Sequence, residues 1–248
     1  MHFFHLSRYQ AAAIHFSLCL IVAAVLLSLL WIVWYPAPLL QAVGGQEIVL
    51  MLLGIDVILG PLLTLVVFKS GKPTLKMDLA AIAALQVAAL MYGVYTLLAG
   101  RPVFIASLGG SFQVVQANDI EQQEIDVAKI TLPWWGPKWV GTAQPSDQNE
   151  RERLLISGVA GAGLGNFPQY HAPLESMREM ILAKRRPIAE LRASNPARDT
   201  EITDWLSSRG YNDQSASYQP LRASRRMSVI IDTRTAAVVG ISSFKPRD

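Results

Sequence analysis

The segment IVLMLLGIDVILGPLLTLVVF, residues 48–68, is an apolar run of 21 residues with one charged side chain, Asp56, near its middle. A helix of that length crosses the roughly 30 Å hydrocarbon core of a bilayer. An ionised carboxylate at such depth costs at least about 2.5 kcal/mol on insertion scales. The segment therefore predicts a transmembrane helix whose Asp56 faces protein or water.

Two further apolar runs, residues 11–34 and 77–99, flank this segment. The first exceeds the apolar core of a cleavable signal, about 7–15 residues, so we interpret it as a retained helix. Trp31 and Trp34 at its end are typical of a membrane-interface aromatic belt. Asp78 opens the third run, where a helix N-terminus favours a negative charge.

Composition divides the chain in two. The mean hydropathy is +0.29 and 51% of residues are apolar. Of 22 basic and 19 acidic residues, only four basic and three acidic ones lie in residues 1–99. We therefore expect a transmembrane three-helix domain over 1–99 and a solvated domain over 100–248. The net charge of +3 is spread out, which argues against nucleic-acid binding.

The basic residues predict the orientation. Arg8 and the three lysines of residues 69–76 lie on one side of the predicted helices, and the loop 36–47 has no basic residue. Cytoplasmic loops carry the excess of Lys and Arg. We therefore expect a cytoplasmic N-terminus and, after three crossings of a bacterial inner membrane, a periplasmic C-terminal domain.

The C-terminal half alternates strand and helix patterns, which predicts a small α+β domain. RPVFIAS and FQVVQAN flank LGGS as a hairpin, and IDVAKITL (125–132) has the alternation of a further strand. Helices are expected over 147–158 with Asp147 as N-cap, over 174–193 with a break at Pro187, and over 200–208. RRMSVIIDT and AAVVGISSF form a terminal hairpin that turns at residues 234–235.

Asp56, Gly60 and Thr64 fall at i, i+4 and i+8, so they share one helix face. The Gly60–Thr64 spacing lets another helix approach closely. Pro61 removes an N–H and frees the carbonyl of Val57 in an α-helix, which predicts a bend beside the acid.

Gln86 and Gly93 lie on a comparable stripe of the third helix. At about 1.5 Å per residue, Asp56 lies roughly 18 Å from the cytoplasmic end, Gln86 about 14 Å and His15 about 6 Å. Gln86 or Tyr92 is therefore the expected neighbour of Asp56, and His15 is not. Asp56 has three interpretations: a polar contact within the bundle, a contact with a partner helix, or part of an ion pathway. Three helices and a single buried acid disfavour the last.

PWWGPKW (133–139) places Trp134, Trp135 and Trp139 between turn formers. Such a cluster packs in a core or at a membrane interface, or it forms a partner-binding surface, since Trp is enriched in binding hot spots. GVAGAGLG (158–165) lacks the strand–helix context of a dinucleotide site and predicts a loop. No Cys or second His lies near His171 in the sequence, which argues against a zinc site. The sequence has no G-x-S-x-G motif that would supply a nucleophile for His171. We therefore predict no catalytic residue, metal or cofactor.

These motifs together resemble the type IV pilin accessory proteins of the TfpX/TfpZ kind. The resemblance is carried by the following segments: RYQAAAIHFSLCL (8–20), GIDVILGPLLTLVVFKSGK (54–72), MDLAAIAALQVAALMYGVY (77–95), RPVF (101–104), LPWWGPKWVGT (132–142) and VIIDTRTAAVVG (229–240). Family members usually have an acidic, aromatic hairpin after Arg-Pro-Val, where this chain has LGGS.

The resemblance implies a non-enzymatic inner-membrane protein that keeps its cognate major pilin stable or competent for assembly. Its partners would be the pilin's membrane helix and globular head and the lipid bilayer. We add the hypothesis that Asp56 pairs with the amine of a processed pilin. The residues assigned to partner binding are Asp56, Gly60, Thr64, Gln86, Gly93, Trp134, Trp135 and Trp139. The alternatives are a scaffold or sensor of another envelope machine, or a membrane-anchored periplasmic enzyme.

Overall fold

The computed structural model describes residues 6–159 and 163–247. The chain forms two compact units. The membrane unit consists of the chain up to Val33 together with Gly45–Gly100, and the C-terminal unit consists of Trp34–Gly44 together with the chain from Arg101 onward. Residues 160–162 of the glycine-rich segment GVAGAGLG, interpreted above as a loop, lie outside the described residues.

The helices are α1 (Arg8–Trp34), α2 (Leu39–Ala42), α3 (Gly45–Val67), α4 (Leu75–Ala99), α5 (Gln122–Ala128), α6 (Gln148–Val159), α7 (Arg178–Ala183), α8 (Ile188–Ala193) and α9 (Asp199–Ser207). The strands are β1 (Pro102–Ser107), β2 (Phe112–Gln116), β3 (Lys138–Thr142), β4 (His171–Ala172), β5 (Arg186–Pro187), β6 (Ala216–Arg222), β7 (Met227–Asp232) and β8 (Val238–Ser242). Short 3₁₀ turns connect several of them.

Helices α1, α3 and α4 are each long and apolar enough to cross a membrane. Ser7 caps α1 by accepting a hydrogen bond from the N–H of Gln10, whose side chain reaches back to the N–H of Ser7. Asp78 lies in the first turn of α4, where it accepts from Thr74 and pairs with Lys72 at 2.6 Å. The predicted fold class, three membrane helices followed by an α+β domain, is confirmed.

The C-terminal unit is built on one sheet in the order β4-β3-β1-β2-β6-β7-β8, with β5 on β6. β1 and β2 form the predicted antiparallel hairpin, as do β7 and β8. Two pairings are parallel, β1 with β3 and β2 with β6. The second connects the β1–β2 hairpin to β6, which pairs antiparallel with β7. Buried side chains from both faces of the sheet form separate hydrophobic clusters.

The terminal turn and two helices agree with the sequence. Asp232 accepts hydrogen bonds from the N–H groups of Arg234 and Thr235, which holds the turn between β7 and β8 and lowers the pKa of that carboxyl. Asp147 accepts from the N–H of Glu150 at the start of α6, as an N-cap does. α9 ends at Ser207, three residues before Gly210.

The segment IDVAKITL is not a strand. Its first half completes α5, which begins at Gln122 and ends where Lys129 adopts a left-handed conformation with φ 51°. Ile125 packs against a buried cluster and Val127 is exposed. The apparent alternation was misleading because the helix starts three residues upstream, at polar helix formers outside the apolar pattern.

Residues 36–47 were expected to be a simple loop, but they contain α2. Leu39 and Ala42 are buried in the same cluster as Ile105 and Phe112 of the sheet. The carbonyl of Ala42 accepts a hydrogen bond from the N–H of Arg225. The part of this connector up to Gly44 therefore belongs to the C-terminal unit, and α2 contributes to its core.

Candidate functional site

The candidate site lies in the membrane unit, where α3 changes register around Asp56. Residues Gly54–Leu59 form a π-helical stretch between two α-helical ones, and the N–H of Gly60 bonds to the carbonyl of Ile55, five residues back. In that register the missing N–H of Pro61 leaves the carbonyl of Asp56 free. The α-helical expectation had named the carbonyl of Val57. Single π turns of this kind recur at functional sites.

Gln86 of α4 supplies the missing donor. Its Nε2 lies 3.1 Å from the carbonyl oxygen of Asp56 and 3.6 Å from Sγ of Cys19 in α1. The side chain is buried, with 9% exposed. Of the two neighbours expected for Asp56, Gln86 thus reaches its backbone, whereas Tyr92 is exposed. One amide links all three membrane helices.

Gly60 makes this contact possible. A Cβ atom placed on Gly60 would lie 2.1 Å from Nε2 of Gln86, which is far inside van der Waals contact. Gly93 of α4 has the same role at a second contact between these helices, since a Cβ atom on Gly93 would lie 2.3 Å from Cδ2 of Leu52 in α3. Small residues at such positions let membrane helices pack closely. Both glycines therefore serve the packing of α3 against α4.

Thr64 pairs with α1 instead. It is buried, with 3% exposed, and its Oγ1 lies 2.7 Å from Nδ1 of His15. The expected stripe of Asp56, Gly60 and Thr64 is therefore divided between two neighbours, α4 at Gly60 and α1 at Thr64. This pair was not predicted from the sequence, although Thr64, four residues before the end of the apolar run, lies at about the 6 Å depth of His15.

A cavity of about 270 Å³ opens among the three helices beside Asp56. Aliphatic side chains form most of its wall, such as Val22 and Leu26 of α1, Leu52 of α3 and Leu90 of α4. Its polar lining residues are His15, Cys19, Asp56 and Gln86.

The Asp56 carboxylate faces this space without a partner of its own. Atom Oδ1 is buried and accepts no hydrogen bond from any residue within 6–159 or 163–247. Burying a carboxylate oxygen without a donor is costly, and more so in hydrocarbon. The same described ranges hold no group of three His, Cys, Asp or Glu side chains suited to a metal. The arrangement can therefore bind an apolar body that presents one hydrogen-bond donor or one positive charge.

The three tryptophans of PWWGPKW lie in different surroundings within the C-terminal unit. Trp139 lies on β3 and packs edge-on against Phe112 at 5.5 Å between ring centroids, beside the core. Trp134 is 53% exposed and packs edge-on against Trp34 at 5.8 Å. Trp135 is 70% exposed. Trp139 thus contributes to packing, and the other two present indole surface.

His171 on β4 packs edge-on against Phe104 at 4.6 Å. Its Nε2 lies 2.8 Å from the carbonyl oxygen of Gly165, so this nitrogen carries the proton. Burial lowers the pKa of His171, and the contact with Gly165 opposes that shift in part. The ring is a neutral packing residue that ties β4 to the neighbouring 3₁₀ turn.

Comparison with known proteins gives the relatives of this chain. A fimbrial assembly protein of Dichelobacter nodosus, serogroup I, is 28% identical over 231 residues, which cover 90% of each chain. Another, from serogroup E1, is 27% identical over the same length and coverage. A third, from serogroups C1 and C2, is 34% identical over 121 residues, which are 92% of that protein and 48% of this chain. The chain belongs to the fimbrial assembly protein family. No family model and no solved structure matches it.

These relatives are named for assembly and not for a reaction. The membrane unit combines close helix packing at two glycines, an apolar cavity and one acid at its wall.

Proposed function

We propose that this fimbrial assembly protein is an inner-membrane accessory factor of type IV pili, of the TfpX/TfpZ kind. It binds the cognate major pilin as a chaperone does and keeps it stable or competent for assembly. In this proposal residues 1–99 form the transmembrane domain, the N-terminus is cytoplasmic, and residues 100–248 form a periplasmic domain that meets the pilin head.

The observation that carries the proposal is the orphaned carboxylate of Asp56 at the wall of an apolar cavity in the membrane unit. A pilin awaiting assembly has an apolar N-terminal helix in the bilayer and a free amine at its processed end. The apolar wall suits the helix, and the carboxylate suits the amine. A charge-assisted hydrogen bond in a low dielectric is among the stronger non-covalent contacts.

The surroundings of Asp56 support a helix socket over an ion pathway. Within the described spans, the other ionisable Asp, Glu, Lys and Arg side chains lie near the helix ends: Arg8, Glu47, Lys76 and Asp78. An ion route needs a series of polar groups across the bilayer. Here the wall beyond His15, Cys19, Asp56 and Gln86 is aliphatic, as a partner helix requires.

The test is co-purification of pilin with the detergent-solubilised protein from cells that carry Asp56→Asn. The substitution keeps shape and removes charge. Hydrogen bonds to charged groups contribute about 1.5–3 kcal/mol, so captured pilin should fall about tenfold or more. Glu47→Gln is the matched control, because it removes a carboxylate from the same helix at a position outside the cavity. Full capture and normal piliation with Asp56→Asn would refute the pairing.

A photocrosslinking residue at position 53, in the cavity wall beside Asp56, gives a second and independent measurement. It should capture the N-terminal helix of pilin in living cells. Position 58 on the same helix is exposed and does not line this cavity, and it serves as the control. Equal pilin capture from both positions would show that the cavity is not the docking site.

A further inference from the structure

Two neighbouring indoles are held outward on the C-terminal unit. Trp134 and Trp135 are its exposed aromatic side chains among the described residues; the other large exposed apolar groups there are Val127 and Met180. The turn that presents them lies between two prolines, and Gly136 within it has φ 45°, a left-handed conformation that suits glycine. The local backbone is thus restricted to a shape that keeps both rings out.

This turn rests on the residues where the chain leaves the membrane helices. Trp134 packs edge-on against Trp34, the last residue of α1. The guanidinium carbon of Arg101 lies 5.5 Å from the Trp134 ring centroid, and Arg101 follows the end of α4 by two residues. A Cβ on Gly136 would lie 3.9 Å from Cγ of Pro36. Trp34 ends α1 and Arg101 follows α4, so the turn packs on the residues that connect the C-terminal unit to two membrane helices.

We propose that Trp134 and Trp135 insert into the headgroup region of the bilayer and anchor the C-terminal unit to the membrane surface. Indole combines a large apolar face with one N–H donor, so it partitions to the boundary between headgroups and acyl chains. Lys138, exposed three residues after Trp135, supplies a positive charge for lipid phosphates. The inference requires the membrane helices and is independent of pilin binding.

A pilin head is the other candidate occupant of this surface. The contacts favour lipid, because Trp34, Pro36 and Arg101, which lie beside the turn, are each within two residues of the end of a membrane helix. A surface for a globular head should instead extend over residues away from those ends.

The test measures tryptophan emission from the full-length protein in nanodiscs whose lipids carry bromine near the headgroup end of the acyl chains. The chain has six tryptophans, of which Trp31, Trp134 and Trp135 are exposed. Trp135→Phe should therefore lower the lipid-quenchable emission by roughly one third, since interfacial indoles dominate it. Trp205→Phe is the matched control, because Trp205 packs under Arg209 and beside Gly240 within the C-terminal unit, and it should leave that emission unchanged.

Two results would overturn the proposal. In the first, Trp135→Phe lowers the emission that aqueous iodide quenches and leaves the emission that brominated lipid quenches unchanged. That result would place Trp135 in water. The other is that Trp135→Phe leaves lipid quenching intact and abolishes pilin capture, which would assign the surface to the pilin head. Asp56→Asn should lower pilin capture and leave lipid quenching unchanged. Failure of the pilin proposal can therefore be distinguished from failure of the membrane-anchor proposal.

Discussion

The membrane unit and the C-terminal unit are held together by different kinds of packing. Only 11–28% of the most apolar window of each membrane helix is buried, and the close contacts are made at Gly60 and Gly93. The sheet of the C-terminal unit instead buries whole clusters of large aliphatic side chains. Lipid is already apolar, so the membrane unit gains little from hiding its aliphatic residues and relies on close fit. Water makes burial the main driving force in the other unit.

The same truncation should therefore have very different effects in the two units. Ile230→Ala removes a buried side chain of β7 with 1% exposed, and it should lower the free energy of unfolding by about 2–5 kcal/mol. Ile58→Ala on α3, 59% exposed, should cost less than about 0.5 kcal/mol. Scanning calorimetry of the protein in detergent micelles measures both. Equal effects would show that the exposed face of α3 is packed against protein.

Adding one methyl group, by contrast, should destabilise the membrane unit where two helices touch. Gly60→Ala forces Gln86 away from α3 and should destabilise the membrane unit by about 1–3 kcal/mol. Gly54→Ala, on the same helix, meets nothing within 4 Å and should be neutral or slightly stabilising, because alanine is the better helix former. Thermal stability in micelles distinguishes them. If both variants melt alike, the Gln86 contact does not restrict the packing.

A buried amide in each unit offers a third comparison. Asn195 bonds to the carbonyls of Leu191 and Lys245 and accepts from the N–H of Lys245. Asn195→Leu leaves these groups unpaired and should cost about 1–3 kcal/mol. Gln86→Met should cost less, about 0.6–2 kcal/mol, the range for polar contacts between membrane helices. Calorimetry of the two variants would contradict this account if Gln86→Met were the more damaging.

The smallest effect concerns pH and the C-terminal unit alone. Burial lowers the pKa of His171 below its ordinary 6.5, so the folded state binds fewer protons than the unfolded state. The contribution of the neutral His171 to the free energy of unfolding is therefore fully present above pH 6.5. It is lost as the pH falls through the lowered pKa. Melting temperatures should drop by a few degrees between pH 7 and pH 5. His171→Phe should flatten that profile, and an unchanged slope would assign it to other groups.

Short-range patterns predicted much of this structure. The three spans, the β1–β2 hairpin, the capped α6 and the turn at Asp232 follow from apolar run length and local turn chemistry. The central strand β6 was missed, because Pro220 interrupts its pattern although Pro220 pairs with Ser228 of β7. Proline is unusual inside a sheet, and only the pairing of residues distant in sequence reveals this strand.

The sequence alone determined that Asp56 lies deep in an apolar run, and that Gln86 lies at a similar depth. It did not determine which part of Asp56 the amide would meet. Tertiary structure decided that, because the π register transfers the hydrogen bond lost at Pro61 from the carbonyl of Val57 to that of Asp56. Gln86 satisfies this carbonyl, and the carboxylate remains directed at the cavity. Register depends on how three helices pack together, which no local pattern in one helix encodes.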